Sequence, residues 1–240
     1  MKILAIDTSA KSASVAVTEN GEIKGEFFIN TMLTHSETLM PMIDGVLKNT
    51  KISIRDIDCF AVNCGPGSFT GLRIGIAAVK GLAYALNKPC AGVSTLESMT
   101  YNFMREKALI CAVMDARCSQ VYNALFDISG AAFTRVCEDR AVRIEELEIE
   151  LKQYDRDILL VGDGAKLCYD KLRKGNNRIL LANESVRFQR ASGTAFAAEL
   201  LAQKGELITA NELMPKYLRL PQAQRELIAK QKNTNGGTLL

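Results

Sequence analysis

The sequence predicts an α/β protein with two lobes, of which the second is the smaller. Strand and helix patterns follow the order βββαβαβα over residues 1–105, and the first three strands are in hairpin sequence. A glycine-rich turn joins the fourth strand to the second helix. A second, less regular set of patterns begins near Ala108, which indicates a reduced second domain.

The first domain is predicted to span residues 1–105 and to begin with three antiparallel strands. The apolar run Lys2–Asp7 ends in Asp-Thr-Ser, which is typical of a buried strand followed by a polar turn. The runs Ser14–Thr18 and Glu22–Ile29 flank the dipeptide Asn20-Gly21, which favours a tight hairpin turn.

Helices and further strands are expected to complete this domain. Apolar residues at helical spacing predict helices over His35–Lys48 and Leu72–Leu86. Strands are predicted at Ile57–Asn63 and Cys90–Ser94. Ser94, with Glu97 three residues later, predicts the capped start of a third helix.

The second domain is predicted over residues 106–205. Its strands are predicted at Ile110–Asp115, Gln120–Phe126, Ala131–Arg135 and Ile158–Val161, with a turn at 128–130. Its helices are predicted at Glu145–Gln153 and Ser192–Lys204, with Ser192 as an N-cap. We expect a helix at about 206–228 to complete the first domain, and the polar tail 229–240 to fray.

Composition narrows the classes of function. The chain has 240 residues and a formal net charge of +3, from 30 Lys and Arg against 27 Asp and Glu. This near balance offers no polybasic surface for autonomous nucleic-acid binding. The seven cysteines lack paired metal-binding spacing, so we expect reduced thiols in a cytosolic protein. We also expect no signal peptide and no membrane span, because no apolar run approaches ~18 residues.

The glycine-rich turn after the fourth strand allows two physical interpretations. Its glycines permit close packing of the strand against the helix that follows. Alternatively, the free N–H groups at the helix start could hold an anion. The turn is not a P-loop, because no Lys-Ser or Lys-Thr follows its last glycine, and its glycine spacing differs from the dinucleotide-binding fingerprint.

Four segments, in the same order along nearly the whole chain, resemble the TsaB (YeaZ) family. The run GPGSFTGLRIG, Gly65–Gly75, resembles the family signature. The segment Ile3–Ser9 is similar to the family's first strand and turn. Met114–Arg117 with Gln120–Tyr122 resembles its "DAR…EVY" segment, and Pro215–Arg219 resembles its C-terminal "P-x-Y-L-R".

The resemblance implies a fold and a function. The fold would be that of actin, the sugar kinases and the heat-shock chaperones (ASKHA), with a reduced second domain. The function would be that of a non-catalytic scaffold subunit in bacterial synthesis of threonylcarbamoyladenosine. The complex transfers a threonylcarbamoyl group to the adenosine beside the anticodon of tRNAs that read codons starting with A.

The same resemblance implies partners and location. The chain would form a heterodimer with a TsaD-type catalytic paralogue, a TsaE-type ATPase would bind the pair, and the chain alone would form a homodimer. It would meet tRNA only through the complex, in the cytoplasm and away from membranes. No cofactor would be bound tightly by this chain, while ATP or ADP and a metal would belong to the partner subunits.

The first two helices are the predicted partner-binding surface. The residues assigned to it are Leu39, Met40, Ile43, Leu47, Leu72, Ile76, Val79, Leu82 and Leu86. Their apolar side chains spread around more than one face of each helix, which is also typical of helices packed within a domain. The interface is therefore implied by the resemblance, and a purely internal role remains the alternative.

A vestigial nucleotide site is the second candidate. Its predicted residues are Asp7, Thr8, Ser9, Gly65, Gly67, Asp115, Gly162 and Gly164. In this fold Asp7 would help to hold magnesium near the phosphates, or it would simply bond its own turn. Asp115 with Arg117 would contact a ligand between the lobes, or pair with each other and solvent.

No catalytic residue and no metal ligand is predicted in this chain. The catalytic paralogue carries an H-x-x-x-H motif, whereas His35 is the only histidine here and Leu39 stands where the second would be. Two rival functions stay open: an autonomous ATP-dependent kinase or ATPase of the same fold, and a metallopeptidase. The kinase requires nucleotide binding through Asp7, and the peptidase requires metal ligands that one histidine does not supply.

Overall fold

Two β-sheets form the frame of the protein. The computed structural model describes residues 1–31, 33–129 and 132–219. The first sheet contains β1 (Lys2–Asp7), β2 (Ala13–Glu19), β3 (Glu22–Ile29), β4 (Cys59–Gly65) and β5 (Cys90–Ser94). The second contains β6 (Leu109–Asp115), β7 (Gln120–Ser129), β8 (Ala132–Arg135), β9 (Arg140–Arg143), β10 (Ile158–Val161) and β11 (Ile179–Leu181).

Helices cover both sheets. In chain order they are α1 (His35–Thr50), α2 (Phe69–Leu86), α3 (Thr95–Thr100), α4 (Ile144–Leu151), α5 (Ala165–Leu172), α6 (Glu184–Arg187) and α7 (Ala191–Gln203). Short 3₁₀ turns occur at Ile54–Asp56 and Tyr101–Phe103.

The two sheets repeat one topology. The strand order is β3-β2-β1-β4-β5 in the first and β8-β7-β6-β10-β11 in the second, where β9 pairs additionally with β7. In each sheet the central strand, β1 or β6, is antiparallel to its hairpin partner and parallel to the strand that arrives by a crossover. This arrangement confirms the predicted two-lobed ASKHA fold, and the duplication is a feature that no sequence repeat indicated.

Local sequence explains where the first elements begin and end. Asn20 and Gly21 both adopt positive φ angles, 51° and 79°, as the tight β2–β3 hairpin requires. The Ser68 hydroxyl accepts a hydrogen bond from the Gly71 amide and so caps α2. Ser94 caps α3 by accepting from the amide of Glu97, as predicted.

The core is layered around the two sheets. α1 and α2 pack on one face of the first sheet, and α7 packs on the other. α3 lies between the lobes, where Leu96 and Met99 contact residues of the second sheet such as Phe126. α4 and α5 cover the outer face of that second sheet.

Two predictions about the second half of the chain need correction, and four elements there were not predicted. Ser192 lies inside α7, whose N-cap is Arg190, and its hydroxyl donates to Glu26 instead. α7 itself falls in the predicted second domain, yet its alanines at 191, 195 and 198 pack on the first sheet, because small side chains allow a helix to approach closely. The elements β9, α5, α6 and β11 were not predicted, since each is short and lacks a clear period.

The predicted helix at 206–228 is also absent from its described part. Residues 206–219 form a non-helical segment that returns to the first lobe through an antiparallel bridge between Ile208 and Cys90 and through the buried Leu213. Residues 220–228 and the predicted frayed tail 229–240 lie outside the described residues. The predicted turn at 128–130 is replaced by β7 as far as Ser129, and Gly130 is not described.

The expectation of no membrane-length apolar segment is not met in full. α2 has 18 residues and a mean hydropathy of 1.3, which is long and apolar enough to cross a membrane by length and composition alone. One face of this helix nevertheless packs into the core through Leu72, Ile76 and Val79. A single such helix among the described residues is weak evidence for a membrane span, because core helices of soluble proteins can be equally long and apolar.

Candidate functional site

The four segments that carry the family resemblance converge on one cleft between the lobes. The inter-lobe cleft has a volume of about 440 Å³. It is lined by the turn after β1 (Ser9–Lys11), the start of α2 (Gly67–Thr70), the end of β6 (Met114–Arg117) and the C-terminal segment 216–219, together with Tyr122 and Asp163. Elements that are distant in sequence are thus brought together where both central strands end.

Asp7 does not reach this cleft, although the resemblance placed it in a nucleotide site. Its side chain is 1% exposed. Oδ1 accepts from both the amide and the hydroxyl of Ser9 at 2.7 Å, and Oδ2 accepts from Asn63 Nδ2 at 2.6 Å. Burial raises the pKa of Asp7, against these hydrogen bonds, which lower it. The turn-forming interpretation of Asp7 describes this geometry.

Asn63 is the hub of this buried network, and sequence reasoning missed it. Besides Asp7, its Nδ2 donates to Ser98 Oγ at 3.0 Å, and its Oδ1 accepts from Thr194 Oγ1 at 3.1 Å. The residue therefore joins β1, β4, α3 and α7. A polar residue at the end of an otherwise apolar strand was the one available signal.

The glycines of the family signature are required by packing. A side chain on Gly67 would lie closer than 3.0 Å to the Ser9 carbonyl, and one on Gly71 would lie equally close to the Thr8 carbonyl. Gly65 has a φ of 129°, and its open side is filled by the carbonyl of Lys216. The protein's own backbone thus occupies the space that these glycines create, but this backbone belongs to the turn after β1 and to Lys216 and not, as predicted, to the preceding strand.

The second lobe repeats this turn. Gly162 has a φ of 101°, and its open side meets the carbonyl of Val113. Gly164 faces the backbone of Met114. Of the eight residues predicted for a nucleotide site, Ser9, Gly67 and Asp115 line the cleft. The other five do not line it: Asp7, Thr8, Gly65, Gly162 and Gly164.

Two acidic side chains stand at the second-lobe side of the cleft. Asp115 accepts a hydrogen bond from the Arg117 amide at 2.7 Å, which matches the Asp7–Ser9 turn of the first lobe. Asp163 accepts from Gln189 Nε2 at 3.2 Å. Burial, reinforced by the charge of Asp115, raises the pKa of Asp163 to about 6. The sequence did not single out Asp163 as a side chain with its own role.

The C-terminal segment crosses from the first lobe to the second. The Lys216 amide donates to the Cys64 carbonyl at 2.7 Å. The Tyr217 ring stacks on Phe69, with centroids 4.5 Å apart. Arg219 then donates from Nη1 to the Ala116 carbonyl at 2.6 Å, in the second lobe. We call residues Pro215–Arg219 the strap.

Five of the nine predicted interface residues are buried in the core, so that part of the prediction is wrong. Leu39, Ile43, Leu72, Ile76 and Val79 are each no more than 5% exposed. They face the first sheet, because their helices need an apolar stripe to cover it. Leu47, Leu82 and Leu86 are partly buried, and Met40 is 51% exposed.

A different stripe of α2 is exposed within the described residues. Arg73, Ala77, Gly81 and Tyr84 are all exposed and follow helical spacing. Tyr84 is 76% exposed, and no described atom lies within 4 Å of where a Gly81 side chain would begin. We call these four residues the α2 face.

The side chain of His35 makes a hydrogen bond to the backbone. Its Nε2 donates to the Ala10 carbonyl at 2.8 Å, while Nδ1 is buried without a hydrogen-bond partner among the described residues. Across residues 1–31, 33–129 and 132–219, no group of three His, Cys, Asp or Glu side chains is arranged to hold a metal ion.

Comparisons with known proteins agree with the fold and with the resemblance found in the sequence. A family model described as TsaD, tRNA N6-adenosine threonylcarbamoyltransferase, matches residues 30–227. The tRNA threonylcarbamoyladenosine biosynthesis protein TsaB of Bacillus subtilis is 30% identical over 97% of this chain and 100% of its own length. The Escherichia coli TsaB is 31% identical over 96% and 100%. The structure of YeaZ from Pseudomonas aeruginosa is similar with a TM-score of 0.78 and 26% identity, over 90% of this chain and 99% of that one.

Proposed function

The chain belongs to the TsaB (YeaZ) family of tRNA threonylcarbamoyladenosine biosynthesis proteins, and we propose that it serves this pathway as a non-catalytic scaffold subunit. It binds a TsaD-type catalytic paralogue and holds that paralogue in its active arrangement. The reacting groups come from the paralogue. Two features together support the proposal: the α2 face is exposed, and the side chain of Asp7 at the end of β1 points into the first lobe.

The inward position of Asp7 supports the non-catalytic role. Both of its carboxylate oxygens bond to Ser9 and Asn63 inside the first lobe, so neither is offered to a ligand in the cleft. The only histidine donates to the Ala10 carbonyl, and Leu39 is packed in the core. Asp7, His35 and Leu39 therefore take part in folding contacts, although Ser9 and Asp115 of the predicted nucleotide site line the cleft.

The α2 face supports docking of a partner helix. Ala77 and Gly81 have little or no side chain and would let a second backbone approach closely. Tyr84 projects a large aromatic surface beside them, and aromatic residues are enriched among the side chains that dominate binding energy. Arg73 adds a cation at the cleft end of the stripe. This surface, with Met40 of α1, replaces the buried half of the predicted interface.

The docking proposal is tested by charging the α2 face. Tyr84→Glu and Gly81→Arg should abolish co-elution with the catalytic paralogue and leave the circular dichroism and melting temperature unchanged. Ile149→Glu is the matched control, because Ile149 is 68% exposed on α4 of the second lobe. Retention of the complex by both variants would place the interface elsewhere. Val79→Glu is unsuitable, because Val79 is fully buried and its replacement would unfold the protein.

The catalytic part of the proposal has its own test. The isolated chain, incubated with threonylcarbamoyl-adenylate and tRNA, should form no modified adenosine, and addition of the paralogue and a TsaE-type ATPase should restore the reaction. Product formation by the chain alone at the rate of the full complex would contradict the scaffold role. We place the complex in the cytoplasm, where it contacts tRNA as a whole and where the partner subunits hold ATP or ADP and a metal. When the chain is alone, it forms a homodimer.

An ATP-dependent kinase or ATPase is the rival function, favoured by the cleft of about 440 Å³ between the lobes. It predicts micromolar binding of magnesium-ATP by the isolated chain, about 8 kcal/mol, that is lost in Asp7→Ala. The scaffold proposal predicts weak or undetectable binding in calorimetry. Because Asp7→Ala also removes buried hydrogen bonds, its folding must be checked beside the titration.

A further inference from the structure

Arg73 belongs to two surfaces at once. It is exposed on the α2 face. Its guanidinium carbon nevertheless lies 3.8 Å from the centroid of the Phe69 ring, and its Nε donates to the Tyr217 hydroxyl at 3.0 Å. Phe69 and Tyr217 stack on each other and line the inter-lobe cleft. A partner that contacts the guanidinium of Arg73 therefore acts directly on two rings of the cleft wall.

The strap extends this connection to the second lobe. Its first end is fixed, because Lys216 bonds Cys64 through the backbone and fills the open side of Gly65. At its other end Arg219 donates a hydrogen bond to the Ala116 carbonyl, in the loop that joins β6 to β7. Tyr217 lies between the two ends. Movement of the Tyr217 ring would thus shift Arg219 relative to the Ala116 carbonyl in the second lobe.

We propose that the strap couples docking on the α2 face to the position of the β6–β7 loop across the cleft. This inference rests on the proposed function, since it concerns the same partner. A docked partner orients Arg73, Arg73 holds the Tyr217 hydroxyl, and the strap keeps Arg219 on Ala116. Coupling between two sites is reciprocal, so loosening Arg219 must weaken docking, although Arg219 is not on the α2 face.

Arg219 acts as a positioning residue, and Arg219→Ala tests it. We expect amides of residues 116–122 to exchange with deuterium about tenfold faster in the isolated variant. We also expect its affinity for the catalytic paralogue to fall about fivefold or more. Arg156→Ala is the matched control, because Arg156 is half-buried and binds Asp127 within the second lobe, where its loss should leave docking unchanged.

A second variant distinguishes loss of coupling from misfolding of the Arg219→Ala variant. Tyr217→Phe keeps the stacked ring and loses only the hydroxyl that accepts from Arg73, so it should reproduce the loss of affinity even if Arg219→Ala folds poorly. The double variant Arg73→Ala with Arg219→Ala should weaken docking by less than the product of the two single effects, because both act through one path.

The outcomes are distinct. Faster exchange in Arg219→Ala with unchanged affinity would overturn the coupling, and so would unchanged affinity in Tyr217→Phe or strictly multiplicative effects in the double variant. In each of those cases the wild-type complex still forms, so the proposed function stands. Failure of the wild-type chain to bind the paralogue would refute the proposed function, and the coupling with it.

Discussion

Replacement of Gly71 by alanine tests whether the family signature is a packing device. Gly71 lies in the first turn of α2, and a Cβ atom there would sit closer than 3.0 Å to the Thr8 carbonyl oxygen. Real Cβ atoms essentially never come that close, so the turn after β1 and the helix must move apart until the distance from the Cβ atom to the Thr8 carbonyl oxygen exceeds 3.0 Å. The same shift strains the hydrogen bond from Thr8 Oγ1 to the Gly71 carbonyl, now 2.8 Å long.

The expected change in the free energy of unfolding follows from three contributions. Overpacking a close contact costs about 1–3 kcal/mol. Weakening the Thr8 hydrogen bond costs about 1 kcal/mol. Alanine returns about 1 kcal/mol of helix propensity relative to glycine. Gly71→Ala should therefore lower the free energy of unfolding by about 1–3 kcal/mol.

Gly81→Ala is the control within the same helix. No described atom lies within 4 Å of its Cβ position, so only helix propensity changes, and the variant should gain about 0.5–1 kcal/mol. Urea unfolding of both variants provides the measurement. Their free energies of unfolding are compared with the same m-value, the slope of free energy against urea concentration. Equal stability of Gly71→Ala and Gly81→Ala would refute the packing explanation and would restore the anion-binding interpretation of the turn.

Three further predictions concern the cleft and the core. The raised pKa of Asp163 means that the folded chain holds this proton more tightly than the unfolded chain, so its contribution to stability is complete below pH 3.8 and is lost as pH rises to about 6. Asp163→Asn should remove that part of the pH dependence in unfolding titrations, and an unchanged slope would contradict it. Leu213→Ala should cost about 2–5 kcal/mol because Leu213 is fully buried, whereas Met214→Ala, at a 62% exposed position, should stay within about 0.5 kcal/mol. Asn63→Ala should cost about 2–4 kcal/mol in urea unfolding, since it leaves Oδ2 of the buried Asp7 without a donor, although Oδ1 still accepts from Ser9; a cost near zero would mean that the network is dispensable.

Local patterns were sufficient for the hairpin and the helix caps near the start of the first lobe. The Asn20-Gly21 hairpin and the Ser94 cap follow from residues within a few positions of each other, and both are present. Long-range contacts were beyond such reasoning. Ala191 bonds Ser14 through its amide at 2.7 Å, 177 positions away, and nothing in either neighbourhood indicates that α7 covers the first sheet.

In the candidate site, too, local features could be predicted from sequence and long-range ones could not. The glycine turn could be located from sequence, because φ angles and close approach impose glycine locally. Which face of α2 points outward could not be read, because apolar residues surround this helix and only the sheet decides which of them is buried. Val79 is in the core and Tyr84 is in solvent for that reason. The role of Arg219 depends on a carbonyl 103 positions away.

The return of the C-terminal part to the first sheet has a consequence for biosynthesis. Domains generally fold as units while the chain leaves the ribosome, the N-terminal one first. Here the first sheet has a bare face until α7 has emerged, and its core lacks Leu213 until later still. The second sheet has all its strands by Leu181. The sheet of the lobe made second is therefore complete in the emerging chain before the core of the lobe made first has all its parts.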